Sequence, residues 1–305
     1  MSKLTTLTEA IRENVHDGDS VYITGFTHLI GFSAGHEIIR QKKKDLNLIR
    51  MTPDVIYDQM IAAGVAAKLT FSYSGNPGVG SLRCIRRAIE KREPLPIEVE
   101  EYTHGSLISA LFAGASRLPF YPVPAVDSTD LRKYNSQYRV VRNPYSGKNT
   151  TVVGPLNPDV GIIHVQRADE NGNAQMWGII GEQKEVAFAS SRVIVSAEEI
   201  IDHDLVFDDP NRTIVPGIIV SAVVQEPYAS HPSYAQGYYD RDNRFYREWN
   251  EISKSESEVK KYLEEWVYSV SDRAEYVSKL PSELIRSLSM TGMVRGNVNF
   301  GGTGS

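Results

Sequence analysis

The chain reads as an α/β protein built on a doubly wound, mostly parallel sheet in a single elaborated domain. Two observations predict this. Short apolar runs of strand length alternate with helical stretches through the first hundred residues, and such alternation feeds one parallel strand to the next through a helical crossover. The run at 218–224, IIVSAVV, lacks the polar alternation of a half-exposed strand and has the Val/Ile content of one covered on both faces.

The elements follow in order. Thr6-Leu7-Thr8-Glu9 is a capping box, and Leu7, Ile11 and Val15 recur at helical spacing behind it. Asp17-Gly18-Asp19 stops that helix. Residues 20–24 form a short strand, Gly25-Phe26-Thr27 a tight turn and residues 33–40 a helix. Residues 46–51 and 68–73 are strands, 57–64 a helix, and 81–93 a helix opened by the glycine loop SGNPGVG at 74–80. Residues 131–149 read as an irregular excursion, and 161–166 and 192–197 as further strands. The 218–224 strand runs into a polar, Tyr-rich loop reaching Asn243, and α/β sheets place ligand sites at such carboxyl edges. Val259, Tyr262, Leu263, Trp266 and Val267 put one apolar stripe on a long helix. The domain is expected to span 1–290, with 291–305, ending NFGGTGS, a disordered tail.

Composition excludes several classes. Net charge is -5 with 23% charged residues, so no basic field exists to concentrate nucleic acid or anionic lipid. No apolar run approaches the roughly 20 residues that cross a bilayer, and MSKLTTLTEAIRENV lacks the apolar core of a signal peptide. A cytoplasmic protein is expected. Cys84 is the single cysteine, which rules out an internal disulfide framework and a cysteine-based zinc site, and no histidine pair has zinc spacing with a third ligand.

The long loop resembles one family. Pro216-Gly217, Val223-Val224, Pro227-Tyr228, His231-Pro232-Ser233, Gly237, Tyr239-Asp240 and Asp242-Asn243-Arg244-Phe245 are similar in order to the A (alpha) subunit of class I coenzyme A transferases, the glutaconate type in particular. HDGDSVYITGF at 16–26 and NPDVGIIHVQRADENGNAQMWG at 157–178 match two further motifs. Thr24 departs from the first glycine of a Gly-Gly-Phe motif, and Ile30-Gly31-Phe32 departs from the glycine and proline expected after it. The resemblance implies the sheet class shared with sugar-phosphate isomerase-like proteins. It also implies CoA as a substrate with no cofactor or metal, a beta subunit as partner, and transfer of CoA between an acyl-CoA thioester and a carboxylic or dicarboxylic acid. The nucleophilic glutamate is then expected in the beta subunit, with no catalytic residue in this chain. CoA-ester hydrolysis or decarboxylation on the same scaffold, or a non-catalytic ligand-binding role, are the alternatives.

Substrate contacts are expected from Gly25, Phe26 and Thr27 at the first strand end, from Ser74, Gly75, Asn76 and Gly78 in the glycine loop, and from His104 before a small-residue helix. Glycines let a ligand approach the backbone, and a helix N-terminus offers N–H groups to a carboxylate. On that reading Asn76 presents its amide to the acid, and Asn76→Ala should leave the melting temperature nearly unchanged. Thr24 is expected to face the cleft and tune acyl specificity. Glu170-Asn171-Gly172 mimics a nucleophile context, yet Asn-Gly between extended segments is a hairpin turn. The basic run Arg83 to Arg92 reads as a solvated helix face, Cys84 as buried, and the aromatics and arginines at 228–249 as suited to a protein interface.

Overall fold

The structure, a computed structural model, describes residues 2–76 and 79–289. The main sheet contains β1 (Leu4–Thr5), β2 (Ser20–Ile23), β3 (Leu46–Arg50), β4 (Ala66–Phe71) and β5 (Glu98–Glu101). After an inserted sheet of β6 (Tyr121–Pro122), β7 (Tyr138–Arg142) and β8 (Asn149–Val153) it resumes with β9 (Val160–Ala168), β10 (Ala174–Gln175), β11 (Arg192–Ile200), β12 (Thr213–Val215) and β13 (Ala222–Gln225). The strand order is β1-β13-β11-β9-β2-β3-β4-β5, and every pair along that path is parallel. From β2 the chain adds strands outward to β5, whereas from β9 it adds them in the opposite direction. The reversal lies between β2 and β9, and an open α/β sheet has its natural crevice there.

Alternation along β2 explains how both faces are covered. Val21 and Ile23 enter a core with helices α1 (Leu7–Asn14), α2 (Phe32–Arg40), α3 (Val55–Ala62) and α4 (Arg83–Glu90), while Tyr22 enters a core on the other face with α5 (His104–Ala115). The capping box forms as the sequence predicts: Glu9 N donates to Thr6 Oγ1 at 3.2 Å and Thr6 N to Glu9 Oε2 at 3.4 Å. Cys84 is buried, and burial together with the Asp58 carboxylate pushes its thiol far above the usual range.

Three expectations are corrected. The strand expected over 218–224 is only Ala222–Gln225, preceded by a 3-10 turn at Gly217–Ile219 that leaves Ile218 89% exposed. Lys3 imposes the turn, its Nζ donating to Gly217 O at 2.6 Å and Val220 O at 2.7 Å. The excursion at 131–149 contains a helix (Leu131–Tyr134) and β7, and runs up to the start of β8 in the antiparallel β6-β8-β7 sheet, turning where the Asn143 side chain accepts from Tyr145 N at 2.9 Å. The aromatic segment at 228–249 is largely core: Tyr234, Tyr239 and Tyr246 are each 1% exposed and Trp249 is fully buried. The tail at 291–305 lies outside the described residues.

Candidate functional site

β2 ends at the strand reversal in a backbone that L residues resist. Gly25 has φ +118°, and Thr27 and Leu29 also lie in the left-handed region at +57° and +52°. Left-handed backbone costs a non-glycine residue about 1–2 kcal/mol, so other contacts must hold it. Leu29 N donates to Tyr234 O at 2.9 Å, Ser233 Oγ to Thr27 O at 2.8 Å, and Gln236 N to His28 Nε2 at 3.0 Å. The buried Arg50, at the end of β3, donates to Ile23 O at 3.4 Å and to Gly25 O. Burial drops the His28 pKa to about 4, so the ring is neutral and can accept from Gln236.

Over residues 25–28 these clamps engage carbonyls and the His28 ring and leave the amides. The N–H groups of Gly25, Phe26, Thr27 and His28 have no acceptor among the described residues. Successive free N–H groups in a left-handed turn form a concave anion-binding surface, and such donors stabilise developing oxyanions. Phe26 is 38% exposed beside them, and Gly181 abuts it, a Cβ there meeting Phe26 Cβ at 3.1 Å. Thr24 is fully buried with its hydroxyl unpartnered among the described residues, so its side chain fills the strand end and does not face the cleft.

A second group sits farther along the same carboxyl edge, on the ends of β3, β4 and β5. Ser72 Oγ donates to Met51 O at 2.6 Å, which leaves it to accept from His104 Nδ1 at 2.9 Å. His104 Nε2 then accepts from Thr52 Oγ1 at 3.1 Å. The imidazole is thus oriented by hydroxyls from two neighbouring strand ends while its own residue stays exposed. His104 is also the first residue of α5, whose N-cap is Thr103. Although α5 follows β5, the ring reaches back to Thr52 at the end of β3, the strand beside β2.

The described part of the glycine loop follows the end of β4. The amides of Ser74 and Gly75 have no acceptor among the described residues. Asn76 is turned inward: it is 2% exposed, and its Nδ2 donates to Tyr246 O at 3.0 Å. Its side chain therefore ties the loop to the Asn243–Ile252 helix, contrary to the expectation of an outward amide. Gly78 lies outside the described residues. The N-terminus of α4 is likewise used internally, because Asp58 accepts from Ile85 N at 2.8 Å and from Trp249 Nε1 at 3.0 Å. Asn76→Ala is accordingly expected to cost about 0.5–1.5 kcal/mol by removing the hydrogen bond that ties the loop to Tyr246 O, read as a lower denaturant midpoint.

Carboxylates near this edge are committed elsewhere. Asp54 is buried and caps α3 by accepting from Val55 N at 2.5 Å; Glu182 is buried and accepts from Tyr22 OH at 3.0 Å. Glu170 is an exposed turn residue beside Gly172, which has φ +97°. Among the described residues no group of three His, Cys, Asp or Glu could hold a metal, and no helix is long and apolar enough to cross a membrane.

Sequence reasoning missed the support beneath the 226–239 loop. Glu198, at the end of β11, accepts from Tyr228 N at 2.8 Å and Tyr239 OH at 2.5 Å and meets His164 Nε2 at 2.8 Å. His164 Nδ1 lies 2.9 Å from Ser196 Oγ, and the side chains of Glu198, Tyr239, His164 and Ser196 are buried. The available signal was the acidic Glu198-Glu199 pair closing an apolar strand parallel to the one that carries His164.

The coenzyme A transferase family model matches residues 4–226. The 3-oxoadipate CoA-transferase A-subunit of Pseudomonas knackmussii is 47% identical, over 92% of this chain and 99% of its own length. The glutaconate CoA-transferase A-subunit of Acidaminococcus fermentans is 32% identical over 92% of each chain. The crystal structure of glutaconate coenzyme A-transferase from Acidaminococcus fermentans superposes with a TM-score of 0.89 at 30% identity, covering 95% of this chain and 96% of that one.

Proposed function

Because this chain belongs to the coenzyme A transferase family, as an A (alpha) subunit that works with a partner subunit, we propose that it contributes the oxyanion-binding half of a two-chain active site acting on a 3-oxoadipate-like dicarboxylic acid. The observation that carries this is the run of four unpaired N–H groups, Gly25 to His28, at the strand reversal. A carboxylate of the partner subunit attacks the acyl-CoA carbonyl; the carbonyl electrons move onto oxygen, and the Gly25–Thr27 amides receive that charge. Collapse expels CoA thiolate and leaves an acyl anhydride on the partner. The thiolate then attacks the partner's carbonyl, releases the first acid and forms an enzyme thioester, which the second acid reverses. Desolvation and preorganised donors make a weak carboxylate nucleophile effective, a donor being worth about 3–4 kcal/mol.

On this reading the Ser74 and Gly75 amides and the His104 imidazole take the far carboxylate of the acid, which a six-carbon diacid offers and a short monoacid does not. The 47% identity to the A-subunit of the 3-oxoadipate enzyme, against 32% to that of the glutaconate one, favours the oxo-diacid. With the partner subunit present, specificity constants for 3-oxoadipate are expected to exceed those for glutaconate by at least about tenfold, the scale that a methylene-sized pocket difference supports. A preference for glutaconate would overturn the substrate assignment. His104→Ala is expected to raise KM for the acid more than it lowers kcat.

A further inference from the structure

A cavity of about 730 Å³ opens beyond the ends of β1 and β13, on the edge of the sheet opposite β5. It lies three strand spacings, about 14 Å, from the β2 turn, and none of the residues expected to touch substrate lines it. Its volume falls in the range of small-molecule sites, roughly 300–1,000 Å³. Leu4, Leu7, Val224 and Val277 give it an apolar wall.

Its polar end is incompletely paired. The Glu226 carboxyl makes no hydrogen bond among the described residues. Arg273 is 4% exposed; its Nε and Nη2 donate to Tyr228 O and His231 O, and its Nη1 has no partner. Arg273 forms no ion pair among the described residues, whereas Arg40 is bound through Nε and Nη2 to Glu37. The charged groups facing Glu226 are therefore Arg40 and Glu37 from α2 and Asp272 and Arg273 from the 272–278 segment. Burial dominates over both guanidiniums and raises the Glu226 pKa to about 7.

From this geometry we infer that the cavity is a second binding site for a short apolar carboxylic acid, whose carboxylate shares one proton with Glu226 beside Arg273 while its chain lies on the Leu4–Leu7–Val224 wall. Arg273 spends its bonded donors on carbonyls and packs over the Tyr276 ring at 4.0 Å, so no carboxylate is hydrogen-bonded to it and an anion can join it. A carboxyl that resists ionisation supplies the proton that lets two carboxyls sit together, as a proton-sharing carboxylate pair does. An ammonium has only donors, so it can accept from neither the Glu226 carboxyl nor the Arg273 guanidinium. Acids are substrates and products of the transfer reaction, so occupancy here lets the acid pool act on the enzyme away from the reacting groups; the inference stands whichever acid the transfer uses.

The test is calorimetric titration of the full chain with pentanoate at pH 6, 7 and 8, in two buffers of different ionisation enthalpy. Pentanoate should bind with proton uptake at pH 8, and its affinity should fall about tenfold from pH 6 to pH 8 as the protonated fraction of Glu226 falls. Glu226→Gln, which keeps a donor without a titrating proton, should bind at all three pH values with neither proton uptake nor that decline. Pentylammonium should not compete. Absence of pentanoate binding at pH 6, the same pH dependence in Glu226→Gln, or tighter binding of pentylammonium would each overturn the assignment.

Discussion

Gly25→Ala is expected to lower kcat/KM for CoA transfer by the assembled enzyme about 100- to 1,000-fold, the scale of losing a preorganised oxyanion donor. A Cβ on Gly25 would lie 2.6 Å from Leu29 O, 2.7 Å from His28 O and 2.8 Å from Ile30 Cα, all backbone atoms that cannot swing aside. The φ of +118° adds a penalty for any L side chain. The turn must therefore open, and the Phe26 and Thr27 amides move with it. Since the loop is also pinned by Tyr234, Gln236 and Arg50, the chain should still fold and bind its partner. Near-wild-type kcat/KM in a Gly25→Ala complex would remove these amides from the chemistry.

Glu198→Ala is expected to destabilise the fold by about 3–5 kcal/mol, the cost of breaking a buried charged network by removing one member. Three donors or partners lose their acceptor at once: Tyr228 N, the Tyr239 hydroxyl and His164 Nε2. The consequence should travel. The loop that Glu198 holds contains Ser233, Tyr234 and Gln236, which fix Thr27, Leu29 and His28. Denaturant unfolding should show the loss of stability, and limited proteolysis should show earlier cleavage at 226–239. Unchanged stability in Glu198→Ala would mean that the network is not what fixes the loop.

The parallel sheet was legible because its signals are local: the 20–24, 46–51 and 192–197 runs each coincide with a strand of the main sheet to within a few residues at the ends. The strand-end turn at Gly25 was legible for the same reason, since a glycine closing an apolar run before a helix marks a carboxyl-edge loop. What escaped depends on partners distant in sequence. Asn76 reads as an outward loop amide until Tyr246, 170 residues on, places a carbonyl against it. Residues 218–224 read as one strand until Lys3 folds their first half into a turn. The tyrosines at 228–246 look like interface residues in a polar loop, but Glu198 beneath them, held by His164, accepts from the Tyr239 hydroxyl and the Tyr228 amide. Thr24 reads as a cleft residue by its position in a motif, whereas alternation along β2 and the crowded turn behind it turn its side chain inward.

The central claim is that this subunit holds substrate and oxyanion while the reacting carboxylate comes from the other chain. The direct measurement is CoA transfer from an acyl-CoA to 3-oxoadipate by the purified chain, first alone and then titrated with its partner subunit. No turnover above background is expected from the chain alone, with activity rising to a plateau at one partner per chain. Hydroxylamine or borohydride trapping of the acyl intermediate is expected to label only the partner. Turnover by the rigorously partner-free chain at the rate of the complex, or label on this chain, would contradict it.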